Sequence, residues 1–214
     1  MMPLPLENGL RSDQVVLVLS AHCDDAPLGC GGLLRKLAAL SNTPQLVGVV
    51  FTGGPDRLRE EQAAAGLFGL HYRETRNYYD TLLPNHWADV KDDLQSVRES
   101  IGAKNIGLVL CPRLEDRHQD HRIVAENVWR IFRDHLILEY EIHKYEADLA
   151  SPNFYVRLSE EEAQAKVDSL FEAYQSRRIH HWWTRDVLLS LMRVRGVECN
   201  APFAEGFIAR KMVW

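Results

Sequence analysis

Two stretches of the chain are dense in groups that bind cations or move protons. SAHCDDAPLGCGG, Ser20 to Gly32, sets His22 beside the adjacent carboxylates Asp24 and Asp25 and follows them with glycines. DRHQDH, Asp116 to His121, adds two histidines and two aspartates. Neighbouring carboxylates repel, so Asp24 and Asp25 call for a counter-charge. A simple turn could be made with Asn-Gly or Pro-Gly instead. Imidazole nitrogen and carboxylate oxygen together suit a divalent cation such as zinc. A hydrolytic zinc site needs three protein ligands and one position open to water. His22, one aspartate of the pair and one histidine of HQDH meet that count. A spare aspartate could then take a proton from water. A spare histidine, if protonated, could stabilise an oxyanion or donate to a leaving amine. An aspartate two positions away could fix that histidine's tautomer and raise its pKa.

These residues need elements that bring them together. Val15–Ser20 is a continuous apolar run and reads as a strand buried on both faces. Further strands are expected at Gln45–Thr52, Asn77–Asp80, Ile106–Leu110, Leu136–His143, Phe154–Leu158 and Phe207–Val213. Helices are expected at Leu33–Leu40, Arg57–Phe68, Trp87–Ile101, Ile123–Phe132, Glu160–Tyr174 and Asp186–Val194. Strands and helices alternate, which predicts a three-layer, Rossmann-like α/β fold with a mostly parallel sheet. Residues 144–214 read as elements packed on the same core within a single domain spanning 1–214. Ligands of such sheets bind outside the carboxyl ends of the strands. Both charged clusters directly follow buried strands, so they should meet at one edge. An Asp-Asp pair alone is most often a turn or a helix cap, and HxDH alone a polar helix start. Their conjunction at two strand ends is far less expected by accident.

The bulk properties narrow the field. With 214 residues, 46% hydrophobic and 26% charged, the chain can bury a sizeable core. A net charge of −5 offers no electrostatic case for nucleic-acid binding. No apolar stretch reaches the length of a membrane span. MMPLPLENGLRSDQ has neither a basic start nor an apolar core, so it does not read as a secretory signal. Four scattered cysteines without a CxxC pair suggest a reduced, cytoplasmic protein. Cys23 could be a thiolate ligand, although a small buried thiol is the plainer reading.

HCDD with GCGG, and EDRHQDH downstream, resemble the HPDDE…GG and HxDH motifs of the PIG-L/LmbE family. Arg57-x-x-Glu60-x-x-x-Ala64 leading to Phe68-Gly69 resembles its R-x-x-E…A…LG helix. Ser151–Phe154, Lys166…Tyr174-Gln175-Ser176 and Ala204–Phe207 are similar to its C-terminal landmarks. The resemblance implies a zinc-dependent deacetylase acting on an N-acetylglucosamine-type amino sugar, a small-molecule substrate. It implies that His22, Asp25 and His121 bind Zn²⁺, another divalent ion such as Fe²⁺ being compatible. Asp24 would be the general base, His118 would stabilise the tetrahedral intermediate and protonate the amine, and Asp120 would orient His118. Arg57 would contact the sugar, with Arg59 as its nearest competitor, and Asp80 would be a further substrate contact. Asp116 would shape the loop. Two positions depart from the pattern: Cys23 stands where the family has Pro, and Ala26 where it has Glu.

Other features have plainer readings. His180-His181-Trp182-Trp183 could line a sugar pocket, but Trp pairs are more often core or homo-oligomer contacts. His143 reads as a core or surface histidine. Glycines 29, 31 and 32 lack GxGxxG or Walker spacing, so close packing explains them better than phosphate binding. Two other functions compete with a hydrolase. One is a metal- or sugar-binding protein without catalysis, against which Asp24, His118 and Asp120 count. The other is a 2-His-1-carboxylate iron enzyme, against which the α/β pattern counts.

Overall fold

The computed structural model describes residues 9–73 and 76–213, so MMPLPLEN lies outside the described residues. The first apolar run forms β1 (Val15–His22), and its side chains alternate between two cores. Val16 and Val18 face one side, while Val15, Leu17 and Leu19 face the other. A strand apolar on both faces belongs in the middle of a covered sheet. β2 (Gln45–Thr52) pairs parallel on one side of β1, with His22 opposite Thr52. β4 (Ile106–Pro112) pairs parallel on the other side, with Val18 opposite Leu110.

The sheet is completed by β3 (Leu70–Arg73), β5 (Ile137–Tyr140), β6 (Phe154–Leu158) and β7 (Phe203–Ala209). The spatial order is β3-β2-β1-β4-β5-β7-β6. β7 runs antiparallel to both its neighbours, and the remaining pairings are parallel. One face is covered by α1 (Asp25–Ala38), α2 (Pro55–Phe68), α5 (Glu160–Ala173) and α6 (Arg185–Cys199). The other face is covered by α3 (Trp87–Ile101) and α4 (Gln119–Ile131). The mixed α/β architecture expected from the alternation is thus present, with the C-terminal strands paired into the same sheet. The chain leaves β1 toward β2 and returns to β4 on its other side, so the crevice between the ends of β1 and β4 is the switch point.

Several boundaries differ from expectation, each for a local reason. α1 starts at Asp25 and not at Leu33, because its glycines lie inside the helix with a kink at Cys30. A Cβ at Gly29 would overlap the Tyr140 ring, and one at Gly31 would overlap Phe68. Close packing therefore accounts for these glycines. α4 starts at Gln119 and not at Ile123, because the polar HQDH run is its cap and first turn. β7 lies four residues before the expected Phe207–Val213, directly after a left-handed turn at Asn200. Leu136–His143 is a strand only over Ile137–Tyr140, and α6 continues to Cys199. Asn77–Asp80 contributes a single bridge, Tyr78 with Thr52. β3 leaves no periodic mark in the sequence, since LHYR is too short to show an apolar period.

The Gly29 contact is testable. Tyr140 is fully buried and its hydroxyl donates to the Leu19 carbonyl at 2.7 Å, so the ring cannot retreat freely. Gly29→Ala should cost about 1–3 kcal/mol through overpacking. Urea unfolding should show a lowered midpoint at an unchanged m-value.

Candidate active site

β1 ends at His22, and α1 begins three residues later at Asp25. β4 ends at Pro112; the loop to α4 carries Asp116 and His118, and the first turn of α4 carries Asp120 and His121. The two charged clusters therefore meet across the switch point. His22 Nδ1 lies 3.1 Å from His121 Nε2 and 3.5 Å from Asp25 Oδ2. His121 Nε2 lies 3.4 Å from the same oxygen. Tetrahedral ligands at zinc-like bond lengths are spaced by roughly 3.4 Å.

The chemistry of the donor set also fits a cation. His121 Nδ1 faces Asp116 Oδ2 at 3.0 Å. His22 Nε2 faces Asp120 Oδ2 at 3.1 Å and Asp80 Oδ1 at 3.0 Å. In the neutral ring, the tautomer that these carboxylates favour puts the proton on each outer nitrogen. The two inner nitrogens are then lone pairs, aimed with the Asp25 oxygen at one point. Burial pulls the His121 pKa down, but Asp25 and Asp116 outweigh it and raise it to about 9. His22 is raised for the same reason, with Asp25 the leading charge against burial. Asp25 is held well below the carboxylate range by His121 and His22, against the upward push of burial. Two overlapping groups, His22–His118–His121 and His22–Asp80–Asp120, also lie close enough to share an ion. The triangle adds a carboxylate to two imidazoles, and its Asp25 Oδ2 also accepts the His22 backbone N–H at 2.8 Å.

Asp120 departs from its expected role. Its carboxylate accepts the Thr81 N–H at 2.7 Å and the Leu83 N–H at 3.2 Å, and faces His22 rather than His118. His118 caps α4 instead, its Nδ1 accepting the Asp120 backbone N–H at 3.3 Å. A neutral His118 then carries its proton on Nε2. Burial, together with the His121 and His22 charges, lowers its pKa, opposite to the expected rise. The ring lies 4.7 Å from both His22 and His121, so it borders the triangle. Asp116 does more than shape the loop: it holds His121, accepts the His118 N–H at 2.8 Å and pairs with Lys144 at 2.9 Å. Burial pushes Asp116 up, yet His121 and Lys144 bring it down to about 2.

Asp24 sits beside Asp25 in the chain but outside the triangle. It is buried, adopts a left-handed backbone at φ 83°, and accepts both Arg177 Nε at 2.5 Å and Arg177 Nη2 at 3.1 Å. Arg57 reaches it at 3.1 Å, while Arg59 stays on the surface with Asp56. Asp80 is largely exposed on the outer side of His22. Cys23 is buried with its thiol toward the Thr52 carbonyl, and burial and Glu61 push its pKa far up. Trp183 lies in the core and Trp182 packs against it. His143 meets Trp182 edge-on, and burial lowers its pKa to about 4.

Three groups at this site carry no motif: Arg177, Lys144 and Glu61. Glu61 left a signal, because it occupies the buried stripe of α2 with Ala64 and Phe68 at helical spacing. Arg177 and Lys144 left none.

Fold and site define an α/β protein with a cation-binding geometry at the switch point of its sheet. The PIG-L family, described as GlcNAc-PI de-N-acetylase, matches residues 17–132, which include both clusters, and the chain belongs to that family. An uncharacterized deacetylase of Escherichia coli strain K12, YaiS, is 28% identical over 120 residues, covering 52% of this chain and 64% of its own length. The match thus spans under two thirds of that relative. The conserved protein TT1542 from Thermus thermophilus shares the fold at a TM-score of 0.72 and 21% identity, over 93% of this chain and 96% of that one. The N,N'-diacetylchitobiose deacetylase of Pyrococcus horikoshii shares it at 0.62 and 22%, over 94% and 87%.

Two outcomes follow from the geometry. Asp116→Asn should weaken divalent-ion affinity roughly 10–100-fold, as loss of a ligand's carboxylate partner does, measured by competition with a chromophoric chelator. Glu61 gives a pH signature. Burial raises its pKa from an ordinary 4.5 to about 7, against hydrogen bonds from Tyr174, Tyr72 and the Asp24 backbone that favour the charge. The folded state therefore resists ionisation of Glu61. Its contribution to stability is fully present below pH 4.5 and is lost as pH rises to about 7. The loss amounts to about 3 kcal/mol. Glu61→Gln should lack it, so the wild-type Tm should fall relative to the variant's between pH 4.5 and 7 and level off above.

Proposed function

We propose that the protein is a divalent-cation-dependent amide hydrolase that removes an acetyl or similar acyl group from an amino sugar of the N-acetylglucosamine type. The observation that carries this reading is the triangle of three acceptor atoms with the His118 ring bordering it. The family description and the activity named for the chitobiose deacetylase support a sugar amide as substrate. His22, Asp25 and His121 would hold the ion; the spacing suits Zn²⁺, and Fe²⁺ could use the same donors. When bound, such an ion supplies the Lewis acidity that makes water nucleophilic at neutral pH.

The chain's own groups do the rest. Asp24 takes a proton as the water oxygen bonds to the amide carbon. His118 Nε2–H donates to the carbonyl oxygen as that atom gains charge. The C–N bond then breaks, and the proton held by Asp24 passes to the leaving nitrogen, giving a carboxylate and a free amine. Asp120 keeps His22 in its tautomer, and Asp116 does so for His121. Arg57 and Asp80, on either side of the cluster, are the proposed sugar contacts. A site built only to hold an ion would need neither Asp24 nor His118, which favours catalysis over a binding role. The four buried, unpaired cysteines suit a reducing compartment such as the cytoplasm. Among the described residues no helix is long and apolar enough to cross a membrane.

The test is amine release from a panel of N-acyl amino sugars by protein of measured metal content. Asp24→Asn should lower kcat at least ~100-fold while the bound ion is retained. Full activity in a metal-loaded Asp24→Asn variant would remove Asp24 from this role. Absence of turnover on the whole panel by metal-loaded wild type would favour a binding protein.

A further inference from the structure

We infer that Arg57 and Glu61, one turn apart on α2, are positioning residues that clamp the peptide unit between Cys23 and Asp24 and so aim the Asp24 carboxylate. The two side chains grip opposite ends of the same peptide. Arg57 Nη2 donates to the Cys23 carbonyl at 2.7 Å. Glu61 Oε2 accepts the Asp24 N–H at 2.8 Å. With both polar groups held, this peptide plane cannot rotate. Its orientation fixes φ of Asp24, which at 83° lies where a side-chain-bearing residue is strained. A residue in that region persists only when its surroundings over-determine it.

The surroundings of Glu61 are built for this purpose. Its carboxylate is buried on the stripe that α2 turns toward the core, where an apolar side chain would cost less. The Tyr174 hydroxyl donates to Oε2 at 2.6 Å, and the Tyr72 hydroxyl donates to Oε1. Both oxygens are therefore pinned, and the acceptor for the Asp24 N–H has one position. Arg57 is likewise braced, by Ser176 Oγ at 3.0 Å. Its second bond, to Asp24 Oδ2, extends the clamp from the backbone to the carboxylate. α2 thus reaches over the end of β1 and sets one residue. The assignment rests on the reading of Asp24 as the proton acceptor.

The experiment compares Glu61→Ala, Glu61→Gln and Asp24→Asn for kcat, KM, bound divalent ion per chain and Tm on the same amino-sugar substrate. Glu61→Ala should lose about 10–100-fold in kcat, with KM and bound ion unchanged. Glu61→Gln keeps a carbonyl acceptor for the Asp24 N–H and should stay within about threefold of wild type. A purely structural role would lower Tm without this separation of kcat from KM and without rescue by Gln. A folded, metal-loaded Glu61→Ala with wild-type kcat overturns the clamp. So does a Glu61→Gln as impaired as Glu61→Ala, which would assign the effect to charge. If Glu61→Ala does not fold, Tyr174→Phe takes its place. It frees one Glu61 oxygen and should lower kcat alone, by about threefold; wild-type kcat there overturns the clamp. Unchanged kcat in Asp24→Asn defeats the hydrolase reading itself, whatever the Glu61 variants do.

Discussion

Three acceptor atoms aimed at one point, His22 Nδ1, His121 Nε2 and Asp25 Oδ2, are the constraint on which the rest of this structure depends. His22 and His121 commit their outer nitrogens to carboxylates, and Asp25 offers only oxygen. Acceptors packed this closely repel unless positive charge enters between them. The raised pKa values of both histidines express that demand for positive charge. The cost of assembling such a cluster is met by the frame around it. The β1–β4 pairing sets the separation of its two halves, and both strands are apolar enough to be held from both faces.

The next layer keeps the acceptors from relaxing. Asp116 and Asp120 flank His118 in the sequence and turn their carboxylates to different rings. Asp120 also ties the Thr81–Leu83 loop to α4, so the wall that carries Asp80 is fastened to the same residue that orients His22. Lys144 offsets the charge of Asp116 and pairs with Asp148 at 2.8 Å, which joins the segment after β5 to the site. These contacts are individually modest. Their value lies in sharing partners, because moving any one ring would take a hydrogen-bond partner from a buried carboxylate.

Much of this was legible in the sequence, and the parts that were not share a cause. Apolar runs bounded by polar residues identify β1, β2 and β4, and charge directly after two of them locates the site. Where glycines or polar residues fill the first turns of a helix, as after Asp25 and at Gln119, the apolar period starts late and the boundary is misplaced. Asp120 lies two residues from His118 in sequence, which suggests a carboxylate–imidazole contact. On a helix entry the backbone N–H makes that contact, and the carboxylate is free to turn elsewhere. Arg177 is separated from Asp24 by 153 positions and carries no local pattern, so only the packing of α5 and the turn after it reveals the pair. Glu61 is the intermediate case, visible as a lone acid on an apolar stripe but silent about its partner.

The adjacent aspartates show how the site turns a repulsion to use. If Asp24 and Asp25 had similar backbone conformations, both could not sit buried without competing for the same counter-charge. Left-handed backbone at Asp24 followed directly by the first residue of α1 sends the two carboxylates different ways. Asp25 meets two imidazoles, and Asp24 meets two guanidinium groups. The left-handed backbone at Asp24 is therefore what separates a carboxylate that faces two imidazoles from one that faces two guanidinium groups. Cys23 and Ala26, the two departures from the family pattern, flank this pair without entering it. The Cys23 thiol turns to the Thr52 carbonyl, and Ala26 packs into the apolar core under α1. What Cys23 contributes to the site is its carbonyl, a group that any residue at that position would supply.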